Sequence, residues 1–208
     1  MARPALKPRK SPKQARSSET VEAIVEAAAR ILEVKGVEGF NTNAVALRAG
    51  VSIGSLYQYF PNKHALIAEL LRRSVASLRD GVTQAAQLAQ GAPLREGMRL
   101  LIRAAVDHQL ARPMLEKLLD YQEARLPMDT QRRAIAEDLQ AQLVNFLNHH
   151  RGAVSVSDLT VAALDSQAIA RALIDAAAER DETDARLIER RVLAAVMGYL
   201  TAPPQRGD

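Results

Sequence analysis

The sequence predicts an all-α protein with an N-terminal three-helix head that contains a helix-turn-helix, and a larger C-terminal helical bundle, about nine helices in total. Three observations lead to this fold class. The 208 residues are 48% hydrophobic but only 3% aromatic, so the core must be aliphatic, and such a composition favours helices. Apolar residues recur at helical spacing along most of the chain. The alternation typical of strands does not extend over any useful length.

The first helix is predicted over residues 20–35, where apolar side chains share one helical face, and Gly36 is expected to end it. Another long helix is predicted after the helix-turn-helix. Asn62 can cap it, and its apolar stripe continues to about Ala89, just before the break at Gly91.

Between these helices, residues 39–63 (GFNTNAVALRAGVSIGSLYQYFPNK) have the spacing of a helix-turn-helix. Ala46 is small enough for two helices to cross closely. Gly50, four residues later, tolerates the positive φ with which the first of these helices ends. Leu56, a further six residues along, fills the angle between the two helices, and Ser52 can cap the second one.

The exposed face of this segment is suited to DNA. No acidic residue occurs between Glu38 and Glu69, although the chain contains 24 of them. Hydroxyl, amide and phenol groups suit phosphate oxygens and base edges, whereas a carboxylate would repel the phosphate backbone. The alternative is a short helical hairpin with an accidental polar surface. The polar residues predicted to face DNA are Asn41, Thr42, Asn43, Ser52, Ser55, Tyr57, Gln58 and Tyr59.

The rest of the chain is predicted to form five further helices, the last two capped by Ser157 and Thr183. They span residues 94–111, 114–125, 129–149, 158–180 and 183–200.

The apolar stripes of the last two helices are wider than one neighbouring helix requires. They predict a four-helix interface between two copies of the chain, with Leu173, Val192, Val196 and Tyr199 at the contact. The alternative is that both are ordinary core helices of a closed bundle.

Charge is concentrated at the N-terminus. Residues 1–16 contain six basic residues and no acidic one, whereas positions 17–208 carry a net charge of −2. Proline is frequent there too, so a disordered arm is expected, either lying along DNA or only improving solubility. The predicted organisation is a basic arm (1–17), a DNA-binding domain (18–75), a C-terminal helical domain (76–202) that contains the predicted dimer interface, and a disordered tail (203–208).

Several kinds of site are excluded or disfavoured. Cysteine is absent, which excludes disulfides and thiolate zinc sites. His149 and His150 are adjacent, so on a helix they point about 100° apart and cannot share a metal; no metal and no cofactor are expected. Neither a signal peptide nor an apolar run long enough to span a bilayer is found, so a cytoplasmic protein without membrane contact is expected.

The head resembles the TetR family of bacterial transcriptional regulators over residues 18–73. The resemblance lies in the AGVS of residues 49–52 followed by Leu56-Tyr57, Tyr59-Phe60 and Asn62-Lys63. It implies phosphate contacts for Tyr57 and Lys63, and base contacts at the start of the second helix, which adds Ile53 and Gly54 to the DNA-contacting set. It also implies a homodimer through the last two helices and an effector cavity among the middle ones, so that residues 76–202 would be a ligand-binding and dimerisation domain of a protein in a bacterial cytoplasm.

The side chains predicted to line the effector cavity are Met98, His108, Met114 and Tyr121, because methionine suits adaptable pockets. The resulting hypothesis is a sequence-specific DNA-binding regulator that is released as a repressor from a palindromic operator by an unknown small molecule. One alternative is an architectural or nonspecific DNA-binding protein without an inducer. A helical enzyme is the other, with Asp107-His108 or Asp120 and Glu123 as its nearest acid/base pair.

Overall fold

The computed structural model describes residues 15–123, 125–127 and 129–202, and over these residues it contains nine α-helices, one short 3₁₀ turn and no strand. The all-α prediction is therefore confirmed. The predicted arm up to residue 14 and the predicted tail 203–208 lie outside the described residues. The helices are α1 (Ala15–Gly39), α2 (Thr42–Ala49), α3 (Ile53–Tyr59), α4 (Lys63–Leu88), α5 (Leu94–Ala111), α6 (Pro113–Glu123), α7 (Thr130–His149), α8 (Leu159–Glu179) and α9 (Ala185–Thr201).

The predicted starts of three helices were wrong, by five residues for α1 and by one residue for α8 and α9. Helix α1 begins at Ala15 rather than at residue 20, and at Gly36 its φ of 63° interrupts a helix that continues to Gly39. Asp158 and Asp184, rather than the preceding Ser157 and Thr183, cap the last two helices, because their carboxylates accept the first free backbone N–H groups. An aspartate at this position also interacts favourably with the positive end of the helix dipole.

The first compact unit consists of the described residues up to Ser74 together with the segment 114–128. Its core is built from the apolar faces of α1 to α4, and Leu115 and Leu119 of α6 belong to the same core. Ser74 Oγ donates to the buried carboxylate of Glu116 at 2.5 Å, a further link between α4 and α6. Helix α6 is therefore part of the same packed unit as the helix-turn-helix.

The second unit contains the described residues of 75–113 and of 129–208. Helix α8 packs against α7, α9 and α5, and α5 packs against α9, around a core that is almost entirely aliphatic. Glu189 of α9 accepts hydrogen bonds from Arg99 at 3.3 Å and Arg103 at 3.5 Å, both on α5. Among the described residues, no helix is long and apolar enough to cross a membrane.

Candidate nucleic-acid interface

The turn between α2 and α3 has the geometry that a helix-turn-helix requires. Gly50 adopts φ 68° and ψ 27°, the left-handed conformation that glycine reaches without a Cβ clash. Its N–H donates to the carbonyl of Leu47 at 3.3 Å, and the N–H of Val51 donates to the carbonyl of Ala46 at 3.1 Å. This pair of bonds is the Schellman motif, which satisfies the last carbonyls of α2 and fixes the direction in which the chain leaves it.

The two helices are held at their crossing by a small buried cluster. Ala46 and Val45 on α2 are buried, and Leu56 on α3 is completely inaccessible to solvent. Val51 in the turn packs against the same core. The predicted roles of Ala46 and Leu56 agree with this packing, which fixes the angle at which α3 projects from the head.

Side-chain caps define where the two helices begin. Asn41 Oδ1 accepts from the N–H of Ala44 at 2.9 Å, at the start of α2. Ser52 Oγ accepts from the N–H of Ser55 at 3.0 Å, and the two serine hydroxyls are hydrogen-bonded at 2.8 Å. The predicted cap at Ser52 is therefore confirmed, and the side chains of Ser52 and Ser55 form hydrogen bonds within the head itself.

The predicted DNA-contacting residues lie on α2 and α3, at the N-caps of these two helices and at the first residue of α4. Asn62 Oδ1 caps α4 by accepting from the N–H of Ala65 at 2.9 Å, and Lys63 begins this helix. The exposed members of the set are Asn41, Asn43, Ser52, Ile53, Gly54, Tyr57, Gln58 and Lys63, and the half-buried ones are Thr42, Ser55 and Tyr59.

One hydrogen bond joins the two helices on their outer side. Thr42 Oγ1 at the start of α2 lies 3.0 Å from the hydroxyl of Tyr57 on α3. This contact orients the phenol toward the N-terminus of α2, where backbone N–H groups and the helix dipole favour an anion. Tyr59 differs from Tyr57, because its ring packs against the core of the unit.

Two carboxylates of the first unit, those of Glu69 and Glu22, are engaged by arginines. Glu69 accepts from Arg72 at 2.6 Å and from Arg73 at 3.0 Å. Arg73 also donates to both carboxylate oxygens of Glu22 on α1. The hydrogen bond from Arg73 lowers the pKa of Glu22, although partial burial opposes this shift. Glu69, which ends the acid-free stretch on its C-terminal side, and Glu22 on α1 therefore already have cationic partners.

The four predicted effector residues are not brought together in one unit. Met98 is buried in the core of the second unit, and His108 is half-buried on the same helix. Met114 and Tyr121 belong to the first unit and are about half exposed, and the guanidinium of Arg125 lies 3.6 Å above the Tyr121 ring. Of the predicted set, Met98 is the residue that packs within the aliphatic core of the second unit.

Two buried polar residues of the second unit were not among the predicted site residues. Gln109 on α5 and Ser166 on α8 are both more than 90% buried. In the part of the chain that the structure describes, Gln109 Nε2 and Ser166 Oγ have no hydrogen-bond partner. The available signal was their position, because each continues an apolar stripe where an aliphatic residue is expected.

Two of the predicted dimer residues are buried inside their own protomer. Val192 and Val196 have 0% and 1% exposure and belong to the core of the second unit, so they cannot contact a second copy. Leu173 and Tyr199 are half-buried against the same core. The large apolar residues that α8 and α9 do expose are Val161, Leu164 and Leu187.

The hydroxyl of Tyr199 donates to the carboxylate of Asp165 at 2.5 Å, a contact between α9 and α8. Burial, reinforced by this carboxylate, raises the pKa of Tyr199 to about 12. The phenol therefore stays protonated at neutral pH and continues to donate.

The histidine pair takes part in backbone contacts. His149 Nδ1 lies 2.6 Å from the carbonyl oxygen of Asn145. His150 Nδ1 lies 3.0 Å from that of Phe146, and its Nε2 lies 2.9 Å from that of Ala92. These contacts hold both rings at the C-terminal end of α7, where His149 is the last helical residue and His150 the C-cap. Asp107, from the enzyme alternative, is ion-paired with Arg103 at 2.8 Å.

Two solved structures share this fold across most of the chain. The transcriptional regulator FadR from Bacillus subtilis, crystallised in complex with stearoyl-CoA, superposes with a TM-score of 0.71 at 18% identity and covers 86% of this chain and 99% of its own. A putative TetR-family regulator from Mesorhizobium loti superposes with a TM-score of 0.70 at 21% identity, covering 89% of this chain and 97% of its own.

Sequence comparison identifies relatives of both parts of the chain. The HTH-type transcriptional repressor KstR of Mycolicibacterium smegmatis is 40% identical over 70 residues, and the chain spans 34% of the length of that relative. The family model "Bacterial regulatory proteins, tetR family" matches residues 24–70, and "Tetracyclin repressor-like, C-terminal domain" matches residues 93–200. The second match alone covers more than half of the 208 residues, so this chain, with a helix-turn-helix head of the expected geometry, belongs to the TetR family of DNA-binding bacterial regulatory proteins.

Proposed function

We propose that this protein is a transcriptional repressor that binds a two-fold symmetric operator as a homodimer and is released from it by a small, largely apolar effector. The observation that carries the DNA-binding part is the exposed, acid-free face of α2 and α3. Its helices are fixed by the left-handed turn at Gly50, by the caps at Asn41 and Ser52 and by the buried Leu56. A recognition helix must be held this rigidly, because small displacements would misplace its side chains in a major groove.

The residues of this face divide into two groups by what they can contact. Lys63 and the joined hydroxyls of Thr42 and Tyr57 suit phosphates, which set the position of the head on the duplex. Gln58 is exposed on α3 and carries the donor and acceptor pair that fits the N6 and N7 edge of adenine. We therefore assign positioning to the first group and base reading to α3.

Selection of an operator from a random pool of duplexes, followed by footprinting, tests this assignment. We expect one protected palindrome, and Gln58→Ala should relax the preference at one position in each half-site, where a bidentate contact contributes about 1–3 kcal/mol. Gln87→Ala is the matched control, since Gln87 is an exposed glutamine of the second unit. Diffuse protection without a preferred sequence would instead support an architectural DNA-binding protein.

The homodimer is proposed through the outer faces of α8 and α9. Val161, Leu164, Ala168 and Ala172 are exposed and recur at intervals of three or four residues, so they share one side of α8. On α9 the corresponding exposed residues are Leu187, Ala194 and Gly198. Small side chains between larger apolar ones allow two helix pairs to approach closely and form a four-helix interface. We propose this surface for dimerisation in place of the interface predicted from the sequence, which was centred on Val192 and Val196.

The effector is proposed to bind in the second unit. A buried donor without a partner costs about 1–3 kcal/mol, so retaining Gln109 and Ser166 among aliphatic side chains favours a ligand that accepts their hydrogen bonds. Both side chains are uncharged, which suits a carbonyl or ester oxygen on an apolar molecule. The crystallisation of Bacillus subtilis FadR with stearoyl-CoA makes long-chain acyl thioesters the first class to examine.

Thermal unfolding and operator release can be measured with acyl-CoAs of increasing chain length, with free coenzyme A as the control. We expect acyl chains, but not free coenzyme A, to raise the melting temperature and release DNA. Gln109→Leu should stabilise the unliganded protein, because it removes an unsatisfied buried donor, and should weaken the response. An unchanged response in both Gln109→Leu and Ser166→Ala would remove these residues from the effector site.

A further inference from the structure

We propose that Ile53 is a specificity-determining residue that reads the 5-methyl group of a thymine in each operator half-site, and that Gly54 is present to let the DNA approach it. This inference rests on the proposed operator binding. Ile53 and Gly54 are the first two residues of α3, and the N-terminal residues of a recognition helix are those that contact base edges.

The polar neighbours of Ile53 are already engaged within the head. Ser52 Oγ accepts from the backbone of Ser55, and their two hydroxyls are hydrogen-bonded to each other. The Tyr57 hydroxyl is bonded to Thr42. The side chain of Ile53, on this same first turn of α3, is apolar and cannot form such hydrogen bonds. Its exposure to solvent is 38%.

An exposed isoleucine gains free energy only when an apolar surface covers it. In the major groove, bases present hydrogen-bond donors and acceptors, and thymine adds the one apolar group, its C5 methyl. The stretch of sequence around Ile53, residues 39–68, contains no acidic residue that would repel the phosphates on either side of such a contact. A thymine methyl is therefore the partner that the chemistry of this position selects.

Gly54 supplies a second, independent observation. It lies inside α3, where glycine is less favourable than alanine, and its φ is not in the left-handed region. A Cβ built on Gly54 would meet only Ser52 Oγ, at 3.8 Å, which is ordinary van der Waals contact. Neither backbone conformation nor internal crowding therefore explains the glycine. An external surface that comes close to α3 beside Ile53 does explain it, because only glycine leaves room for it.

Replacing each thymine of the selected operator by uracil, one position at a time, tests the methyl contact, because uracil lacks only that methyl. For the wild-type protein we expect one position in each half-site at which affinity falls about fourfold, or about fifteenfold when both half-sites are changed, as for one buried methyl per site. Ile53→Ala should bind the thymine operator more weakly and should be insensitive to uracil at that position.

Gly54→Ala tests the close approach of DNA to α3 by two measurements, stability and operator affinity, that should change in opposite directions. The variant should melt at a higher temperature and bind the operator at least tenfold more weakly, because the added methyl group favours the helix but collides with the DNA. Gly81→Ala is the matched control, since Gly81 also lies in a helix and its added Cβ would meet nothing closer than 4.0 Å. It should gain stability without losing affinity.

Two results would overturn the proposal while leaving operator binding intact. One is a wild-type protein that tolerates uracil at every thymine. The other is a uracil effect of equal size in Ile53→Ala, which would assign the methyl contact to another residue. If the wild-type protein selects no preferred sequence at all, the proposed function fails and this inference fails with it.

Discussion

Two glutamate substitutions, one on α9 and one on α8, test which side chains belong to the core of the protomer and which belong to the surface proposed for dimerisation. Val196 has 1% exposure, so Val196→Glu replaces a fully buried aliphatic side chain with a carboxylate. The lost burial costs about 1.5–3 kcal/mol. Burial of the unpaired carboxyl group adds about 3 kcal/mol or more, even if the group takes up a proton and so avoids carrying a buried charge. Because a domain is stable by only about 5–15 kcal/mol, we expect the second unit to lose cooperative folding.

Leu164→Glu is the matched change on α8, at a position with 47% exposure. Substitutions at such sites usually alter stability by no more than about 0.5 kcal/mol, so the protomer should remain folded. If two copies pair through this face, the paired glutamates should be strongly unfavourable in the interface, and the protein should sediment as a monomer with most of its operator affinity lost.

Sedimentation velocity and thermal unfolding followed by circular dichroism separate the two variants. Val196→Glu should lose its cooperative transition, whereas Leu164→Glu should keep the wild-type melting temperature within a few degrees. A folded, monomeric Val196→Glu protein would refute the assignment of this residue to the core and restore it to the interface. A Leu164→Glu protein that remains dimeric would show that the copies pair elsewhere.

Three further predictions concern charge. Lys63→Ala should weaken binding to all DNA sequences similarly and lower the slope of log affinity against log salt by about one, since one phosphate contact is lost; an unchanged slope would remove Lys63 from the interface. Deleting residues 1–14, which precede α1 and contain five basic residues, should reduce affinity for any duplex, most at low salt, whereas equal affinities at low salt would show that the arm takes no part. The lowered pKa of Glu22 means that its pair with Arg73 stabilises the head above about pH 4.5 and that this contribution disappears as the pH falls through the lowered value. The melting-temperature difference between the wild type and Glu22→Gln should therefore shrink in acid. Glu38→Gln is the control.

Local features of the head could be predicted because each depends on a few neighbouring residues. A left-handed turn needs a residue such as Gly50, and a cap needs a short polar side chain such as Asn41 or Ser52 at the right offset. The predicted caps of α8 and α9 were wrong by one residue. Ser157 and Thr183 are each followed by an aspartate, whose charged carboxylate also accepts hydrogen bonds from the first backbone N–H groups of the helix. Which of two adjacent residues caps a helix depends on the backbone conformation before the helix. The spacing of residue types in the sequence does not reveal that conformation.

Packing partners were harder to predict, because an apolar stripe shows that a helix face is buried but not what buries it. Helix α9 has apolar residues around much of its circumference, and the structure shows that Val192 and Val196 fill the interior while Leu187 remains exposed. Helix α6 has an equally ordinary stripe, yet Leu115 and Leu119 enter the core of the head. A polar residue that interrupts such a stripe, as Gln109 does, tells more about function. An aliphatic residue at this position would make the fold more stable, so the presence of glutamine indicates a role other than folding.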